Sequence, residues 1–328
     1  MEATIVREPT DVAAARRQIG GLAARVGYDA TRAGRVAIVV TELAQNVLRH
    51  GGGGEILAGI DPERPAGIQI IALDRGPGMA DVKACLRDGY STGGTSGNGL
   101  GAVKRLAHEV LIHSAPGHGT AVLVRMGGDS EPRSGTTRTT AALCIPVTGE
   151  AICGDTAAIV SRADGSVGIL LADGLGHGPL AAAASQEAAR LFRKHPEGSP
   201  TAVLASLHAG LRATRGAAVA VASIDPAARQ VVYSGIGNIA GFITDTGGVR
   251  RMVSHSGTAG HTAGRLQDFR YPIHHQPVLA MYSDGLTTSW SPDAHPGLFG
   301  LDPLLIAAIL YRDHARGRDD ASVVVWKG

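Results

Sequence analysis

The sequence predicts an α+β protein of two domains in series, and three observations lead to this prediction. The 328 residues exceed the roughly 100–200 residues from which one hydrophobic core is usually built. Residues 127–139 contain no apolar residue and are dense in Gly, Ser, Thr and Pro, which is typical of a linker. Apolar alternation stops before this stretch and resumes after it. We therefore predict a first domain of residues 1–126 and a second domain of residues 140–328.

Composition and charge exclude several classes of function. A hydrophobic content of 44% with 18% charged residues is ordinary for a folded protein and argues against large-scale disorder. The formal net charge is +2, and no run of Lys and Arg has the length that binding to nucleic acid or to a membrane surface favours. We therefore expect neither nucleic acid nor a membrane among the partners.

Cysteine usage and hydropathy predict a cytoplasmic protein. The three cysteines, Cys85, Cys144 and Cys153, are odd in number and form no C-x-x-C pair, which favours free thiols in a reducing compartment. No apolar run approaches the roughly 18–20 residues that span a bilayer. The first residues, Met-Glu-Ala-Thr, lack the basic-then-apolar pattern of a secretion signal.

The first domain opens with two segments of helical periodicity, residues 10–26 and 31–50. In the second segment the apolar residues recur at helical spacing and predict one buried face: Val36, Val39, Val40, Leu43 and Val47. Glu42 and Asn46 are four residues apart and therefore project as neighbours from the same helix. Strand-like runs follow at residues 55–60, 68–74, 110–114 and 121–126.

Asp74 stands where an adenine-binding carboxylate would be needed. It ends an apolar strand-like run and is followed by Gly76 and Gly78, and glycine allows a backbone to approach a ligand closely. A carboxylate at such a strand end can accept a hydrogen bond from the adenine amino group. The pattern predicts the base-binding end of a nucleotide pocket.

The phosphate end of such a pocket is predicted by a second set of residues. Asn46 offers an oxygen to Mg²⁺, which usually needs only one or two protein ligands besides phosphate oxygens. The Gly-rich stretch that contains Gly97, Gly99 and Gly101 runs into a predicted helix of residues 102–108, so backbone N–H groups would face phosphates. Glycine clusters are usually plain turns, but three such pieces in this order favour a nucleotide pocket.

These motifs resemble the GHKL ATP-binding superfamily over residues 35–125. Glu42 and Asn46 match its N-box, Asp74–Gly78 its first Gly box and Gly97–Gly101 its second, while Thr120 matches a threonine that helps to bind adenine. The resemblance implies a Bergerat-type α/β sandwich that binds ATP with Mg²⁺.

Within that superfamily, the residues around Asp74 and Gly101 are similar to the RsbT-type switch kinases. These are serine/threonine kinases of anti-sigma and stressosome regulatory systems. The resemblance implies that Glu42 is the general base on a protein hydroxyl, that Asn46 is the Mg²⁺ ligand and that Asp74 binds adenine.

The second domain places aspartates at the ends of predicted strands. Asp155 and Asp173 flank a predicted hairpin, whose ends meet at one edge. Asp284 follows an apolar strand, and Asp319 precedes the strand-like residues 321–326. Carboxylates are hard oxygen ligands suited to Mg²⁺ or Mn²⁺, and no Cys/His spacing suggests zinc. Two such ions can activate a bridging water for attack on a phosphoryl group.

Each Asp-Gly pair alone is more often a turn than a metal site. The ordered set over residues 140–328, however, resembles the metal-dependent PPM-type phosphatases of the SpoIIE/RsbX-like branch. The resemblance implies an αββα sandwich of two β-sheets flanked by helices, with helix candidates at residues 180–194 and 202–213. It also implies two bound Mn²⁺ or Mg²⁺ ions.

The resemblance assigns roles to the acidic residues as well. Asp155 and Asp173 would bridge the two ions as the catalytic pair, with the carbonyl of Gly174 as a further ligand. Asp284 would complete the cage together with one of Asp319 and Asp320, of which the resemblance favours Asp319.

Two functional hypotheses follow. In the first, the chain is bifunctional, and a serine/threonine switch kinase is joined to a phosphoserine/phosphothreonine protein phosphatase acting on STAS-type regulators. In the second, the phosphatase is the sole activity and the first domain binds a nucleotide or a partner. The presence of Glu42 favours the first, since a pure binding module has no chemical need for the base.

Overall fold

The computed structural model describes residues 1–82, 99–127, 138–289, 295 and 297–328. The chain divides into two units, Met1–Thr137 and Arg138–Gly328. Most of the predicted linker, residues 127–139, lies outside the described part, so its boundaries stay a prediction.

The first unit contains a five-stranded antiparallel sheet and helices that pack on it. Its elements are β1 (Glu2–Val6), α1 (Pro9–Arg25), α2 (Ala30–Gly51), β2 (Gly54–Asp61), β3 (Arg64–Asp74), α3 (Gly99–Leu106), β4 (Glu109–Ser114) and β5 (Thr120–Met126). The strands lie in the order β1-β2-β3-β5-β4. Asp74, at the end of β3, therefore lies in the middle strand of the sheet.

Helix α2 forms where the periodicity predicts it. The side chain of Asp29 caps its start by accepting a hydrogen bond from the backbone N–H of Arg32 at 2.8 Å. Its C-cap is Gly52, whose φ of +70° is readily adopted by glycine. The predicted apolar face is fully buried together with Ile56 of β2 and Ile70 of β3. Burying each Val or Leu contributes about 1.5–3 kcal/mol, so this face fixes α2 on the sheet. The predicted α/β sandwich is confirmed.

Two features of the first unit differ from the prediction. Strand β1 was not expected; its five residues form an edge strand that pairs with β2. Helix α3 already includes Gly99, three residues before the predicted start at residue 102. A Cβ added at Gly99 would lie 2.9 Å from Oε2 of Glu42, so α3 packs closely on α2 at this residue.

The second unit is built from two larger sheets, a small two-stranded sheet and helices. Its strands are β6 (Thr140–Ile145), β7 (Asp155–Ser161), β8 (Val167–Gly174), β9 (Ala217–Asp225), β10 (Gln230–Ile236), β11 (Ala240–Asp245), β12 (Gly248–Met252), β13 (Gly257–Thr258), β14 (Thr262–Ala263), β15 (Phe269–Pro272), β16 (Val278–Tyr282) and β17 (Ala321–Lys327). Its helices are α4 (Pro179–Lys194), α5 (Pro200–Gly210) and α6 (Pro303–His314), with short 3₁₀ turns at Leu211–Ala213 and Leu298–Gly300.

These elements form four layers. One sheet has the order β15-β10-β9-β8-β7 and the other β12-β11-β16-β17-β6. Successive side chains of β8 point to opposite faces of its sheet, and both faces are buried. Ile169 and Leu171 lie in the core shared with the second sheet, and Leu170 and Ala172 lie in the core under α4 and α5. Helix α6 packs on β17 and β6. The predicted αββα sandwich is confirmed.

The helices of the second unit also refine the prediction. The segment 202–213 divides into α5 and a 3₁₀ turn, a common way for a helix to end. Helix α6 was not predicted. Within the described part of the chain, no helix is both long and apolar enough to cross a membrane.

Candidate functional site

In the first unit, Asp74 is the buried anchor of the candidate nucleotide pocket. Its Oδ1 accepts hydrogen bonds from the backbone N–H groups of Gly76 at 2.9 Å and Thr120 at 3.1 Å. Thr120 is its cross-strand partner on β5, and the hydroxyls of Thr120 and Ser114 are 2.9 Å apart. The structure thus brings together Asp74, Gly76 and Thr120, as the sequence predicts.

Two glycines let the loop after β3 lie close to its surroundings. A Cβ added at Gly76 would lie 2.7 Å from the carbonyl oxygen of His50, at the end of α2. Gly78 has a φ of +72°, and a Cβ there would lie 2.1 Å from the carbonyl oxygen of Ala115. Larger residues would force this loop away from α2 and from the segment before β5.

The phosphate end of the candidate pocket is formed by α2 and α3. Glu42 and Asn46 are both half-buried on α2. The Cβ position at Gly99 lies 2.9 Å from Oε2 of Glu42 and 3.7 Å from Oδ1 of Asn46, so both side chains meet the first turn of α3. Gly101 is buried in the same helix. Gly97 lies outside the described residues.

In the second unit, the predicted hairpin brings Asp155 and Asp173 directly opposite each other on β7 and β8. The turn is fixed by Asp164, whose Oδ1 accepts from the backbone N–H of Ser166 at 2.9 Å. Asp155 is 3% exposed; its Oδ2 accepts from the hydroxyl of Ser322 at 2.7 Å. Its Oδ1 is buried with no hydrogen-bond partner, which is unfavourable for a carboxylate unless a cation or a proton compensates it.

Burial raises the pKa of both Asp155 and Asp173, and the hydrogen bond between these two carboxyl groups lowers the pKa of Asp155 and raises that of Asp173. Burial raises the pKa of Asp155, although the Ser283 and Ser322 hydroxyls oppose the shift. Burial and then the charge of Asp155 raise the pKa of Asp173; the charges of Asp284 and Asp319 act in the same direction. Concentrated negative charge of this kind favours a bound cation.

Asp284 belongs to the same electrostatic cluster. Burial and the charge of Asp319 raise its pKa, while Arg316 and a hydrogen bond from Asn238 act in the opposite direction. Asp173 is thus the member of the cluster on which the charges of three other predicted aspartates act: Asp155, Asp284 and Asp319.

The donor set fits divalent ions that retain much of their hydration shell. Within the described residues, no three Asp, Glu, His or Cys side chains form a complete cage for a single ion. Mg²⁺ usually keeps several waters and takes only one or two carboxylates, so a closed three-ligand cage is not required. The unpartnered Oδ1 of Asp155 is the observation that best fits a bound cation.

Gly174 is held too closely for any other residue. A Cβ there would lie 2.0 Å from the carbonyl oxygen of Ala181, and its N–H donates to the carbonyl of Gly154 at 3.2 Å. The start of α4 therefore packs directly on the segment after Asp173. A metal-ligand role for the Gly174 carbonyl stays a prediction.

The two neighbouring aspartates just before β17 have different surroundings. Asp320 is 2% exposed, and its two oxygens accept from the backbone N–H groups of Val147 and Gly154, each at 2.8 Å. Asp319 is half-buried, and its charge acts on Asp173 and Asp284. Asp320 thus holds the loop before Asp155, which leaves Asp319 as the better candidate ligand.

Matched substitutions are expected to separate these two roles. Asp320→Asn should lower the free energy of unfolding by about 1–3 kcal/mol, because a buried backbone donor loses its charged acceptor. Asp319→Asn should weaken Mn²⁺ binding with little loss of stability, because its amide oxygen can still accept from the N–H of Asp320. Denaturant unfolding and metal titration measure the two effects. The reverse pattern would make Asp320 the ligand.

Asn238 is a site residue that the sequence reasoning missed. Its side-chain N–H donates to Oδ2 of Asp284 at 2.6 Å. It follows Gly237, whose φ is +99° and whose Cβ would lie 2.5 Å from the Cβ of Ala218. A lone Asn after a strand carries no recognisable motif. The antiparallel register of β11 with β16, which pairs Ala240 with Tyr282, brings Asn238 opposite Asp284.

Asn238→Ala is expected to weaken Mn²⁺ affinity about tenfold, because groups that orient a metal ligand typically contribute 10–100-fold. The Asp284 carboxylate would keep its charge but lose its fixed orientation. Isothermal titration with Mn²⁺ measures the loss, and Asn238→Gln tests whether a longer amide restores it. Unchanged affinity in Asn238→Ala would contradict this orienting role.

The fold and these two sites define a protein that joins a kinase-like ATPase domain to a phosphatase-type domain. Residues 5–126 match the family described as histidine kinase-like ATPase domain, and residues 163–325 match stage II sporulation protein E. The first unit is 35% identical over 113 residues to serine/threonine-protein kinase RsbT of Bacillus subtilis (strain 168), which is 34% of this chain and 85% of RsbT. Through its first unit the chain belongs to that ATPase family.

Solved structures resemble the second unit. One, described as the bacterial stressosome, a modular system adapted to control secondary messenger signalling, has a TM-score of 0.53 and 24% identity over 57% of this chain and 97% of its own. Another, RsbX in complex with magnesium, has a TM-score of 0.51 and 20% identity over 57% of this chain and 94% of its own. At these identities the likeness establishes the fold, which is that of PPM-type phosphatases.

Proposed function

We propose that the second unit is a metal-dependent phosphoserine/phosphothreonine protein phosphatase. The observation that carries this proposal is the arrangement of Asp155 and Asp173, which lie directly opposite each other on β7 and β8. The negative charges of Asp284 and Asp319 also act on Asp173. Two Mn²⁺ or Mg²⁺ ions, when bound, supply an activated water for attack on the phosphoryl group.

The residues of the chain hold and orient the site in this proposal. Asp155 and Asp173 would hold the ions, together with Asp284 and Asp319, and the Gly174 carbonyl would be a further donor. Ser322 fixes one oxygen of Asp155, so its other oxygen is left to face a cation.

We propose further that the first unit is a serine/threonine switch kinase that uses ATP with Mg²⁺. Asp74 would accept from the adenine amino group next to Thr120, and Gly76 and Gly78 would let the base approach. Asn46 would hold Mg²⁺. Glu42 would accept the proton of the protein hydroxyl to which the γ-phosphoryl group is transferred.

The two units would then act in opposite directions on STAS-domain proteins of a partner-switching pathway. The relation to RsbT and the stressosome and RsbX structures support this class of partner. Cys153 is a free thiol, which is consistent with action in the cytoplasm.

Incubation of the purified chain with a STAS-domain protein tests both proposals. With Mn²⁺ and phosphorylated STAS protein, release of phosphate that EDTA abolishes is expected. With labelled ATP, Mg²⁺ and the unphosphorylated protein, label should enter a Ser or Thr. Failure of the first reaction would refute the phosphatase. Failure of the second alone, with ATP still bound, would make the first unit a nucleotide-binding regulatory module.

A further inference from the structure

Three large apolar side chains are exposed next to the candidate metal centre. Ile152 is 44% exposed, and Leu175 and Leu180 are each 57% exposed. Scattered exposed leucines are ordinary, but contiguous ones beside a site mark an interaction surface. We call these three residues the rim patch.

The backbone brings the three segments of the rim patch together. The Cβ position at Gly154 lies 3.0 Å from the Cβ of Ala181 and 3.4 Å from the carbonyl oxygen of Gly176. Ile152 is two residues before Gly154. Leu175 directly precedes Gly176, and Leu180 directly precedes Ala181. The three residues of the rim patch therefore lie within two residues of one meeting point of the chain.

The rim patch is continuous with the carboxylates and with an exposed cation. Leu175 lies two residues after Asp173, and its N–H donates to the carbonyl of Gly216 at 3.0 Å. Arg215 precedes that glycine, is exposed, and has Nη1 3.5 Å from the Cβ position at Gly176. A guanidinium at this place can pair with phosphate oxygens.

We propose that the rim patch and Arg215 form the docking surface for the phosphoprotein substrate, an inference that rests on the proposed phosphatase function. Apolar residues flanking the phosphorylated Ser or Thr would pack on Leu175 and Leu180, and Arg215 would pair with the phosphate. The positive charge of Arg215 and the position of the rim patch next to Asp173 favour a phosphoprotein as the molecule that binds here. A phosphorylated segment presents to this place an anion for Arg215 and apolar neighbours for the rim patch.

Two substrates separate docking from chemistry. We would assay the full chain with Mn²⁺ on a phosphoseryl STAS-domain protein and on para-nitrophenyl phosphate, which has no flanking residues to dock. The double variant Leu175→Ser/Leu180→Ser is expected to raise KM for the phosphoprotein about tenfold, with kcat/KM for the small ester unchanged. Val249→Ser is the matched control, since Val249 is 43% exposed on β12, at the end of the sheet away from Asp284.

Arg215→Ala has a different expected signature. KM should rise for both substrates, because both carry the phosphate, and Arg215→Lys should restore part of the loss. If Arg215→Ala leaves both KM values unchanged, the role of Arg215 is refuted.

The remaining outcomes also decide the proposal. Equal losses on both substrates in the double variant, or no loss on either, would overturn the rim patch as a docking surface. So would a change from dimer to monomer in sedimentation with unchanged kinetics, which would make a second copy of the chain the occupant. If Leu175→Ser/Leu180→Ser does not fold, as judged by thermal melting, Leu175→Ala/Leu180→Ala takes its place. A wild-type chain that hydrolyses neither substrate would instead refute the proposed phosphatase.

Discussion

Asp173→Asn is expected to lower Mn²⁺-dependent hydrolysis of a phosphoprotein by about a thousandfold or more, because it would replace a proposed metal-ligating carboxylate by a neutral amide. The same change should stabilise the protein in EDTA. The pKa of Asp173 is raised by burial and by its acidic neighbours, so in the absence of metal its ionised form destabilises the fold.

Proton linkage explains why Asp173→Asn should stabilise the metal-free protein. A carboxyl whose pKa is raised on folding stabilises the fold when it is protonated, at low pH, and this contribution is lost as the pH rises through the raised pKa. The metal-free wild type should therefore gain stability on acidification from neutral pH more than Asp173→Asn does. Melting temperatures in EDTA across the acidic to neutral range, and with added Mn²⁺, measure both effects.

Asp225→Asn is a suitable control for these experiments. Asp225 is exposed at the end of β9, and its Oδ1 accepts from the N–H of Ala228, a hydrogen bond that an amide oxygen can replace. This variant should retain activity and the Mn²⁺-induced rise in melting temperature. Full turnover by Asp173→Asn, or an unchanged response to Mn²⁺, would refute the proposed metal centre.

The sequence was most informative where local patterns decide the structure. Helix α2 has an apolar stripe at helical spacing, an Asp cap and a run of glycines at its end, and all three agree on one element. The hairpin of β7 and β8 follows from two apolar runs around Asp164-Gly165. These two features suffice to pair Glu42 with Asn46 and Asp155 with Asp173.

Features that depend on distant packing could not be predicted in this way. Helix α6 is buried on nearly all sides, so its run from Pro303 to Tyr311 shows no amphipathic period. Asp319 and Asp320 differ only in what surrounds them, which depends on how the loop ending at Gly154 reaches β17. Asn238 reaches Asp284 across 46 residues of sequence, and no local pattern encodes that contact.

Glu42→Gln is the second change with a large expected effect. It should lower phosphoryl transfer from ATP to a STAS-domain protein by about 10²–10⁴-fold, because the side chain can no longer accept the hydroxyl proton. ATP affinity should be retained, since Asp74 and Thr120, which would bind the adenine, are unchanged. Transfer of labelled phosphate and ATP titration measure the two quantities.

The assay is sharpest in the Asp173→Asn background, where the second unit should no longer remove phosphate that the first unit is proposed to add. Asp74→Asn provides the complementary control, because it should weaken ATP binding itself. If Asp173→Asn protein with Glu42 intact binds ATP but transfers no phosphate, the kinase proposal fails and the first unit acts by binding alone. If Glu42→Gln loses transfer but keeps ATP affinity, whereas Asp74→Asn loses both, the contact of Glu42 with α3 at Gly99 lies at a catalytic centre, because a binding module has no use for that carboxylate.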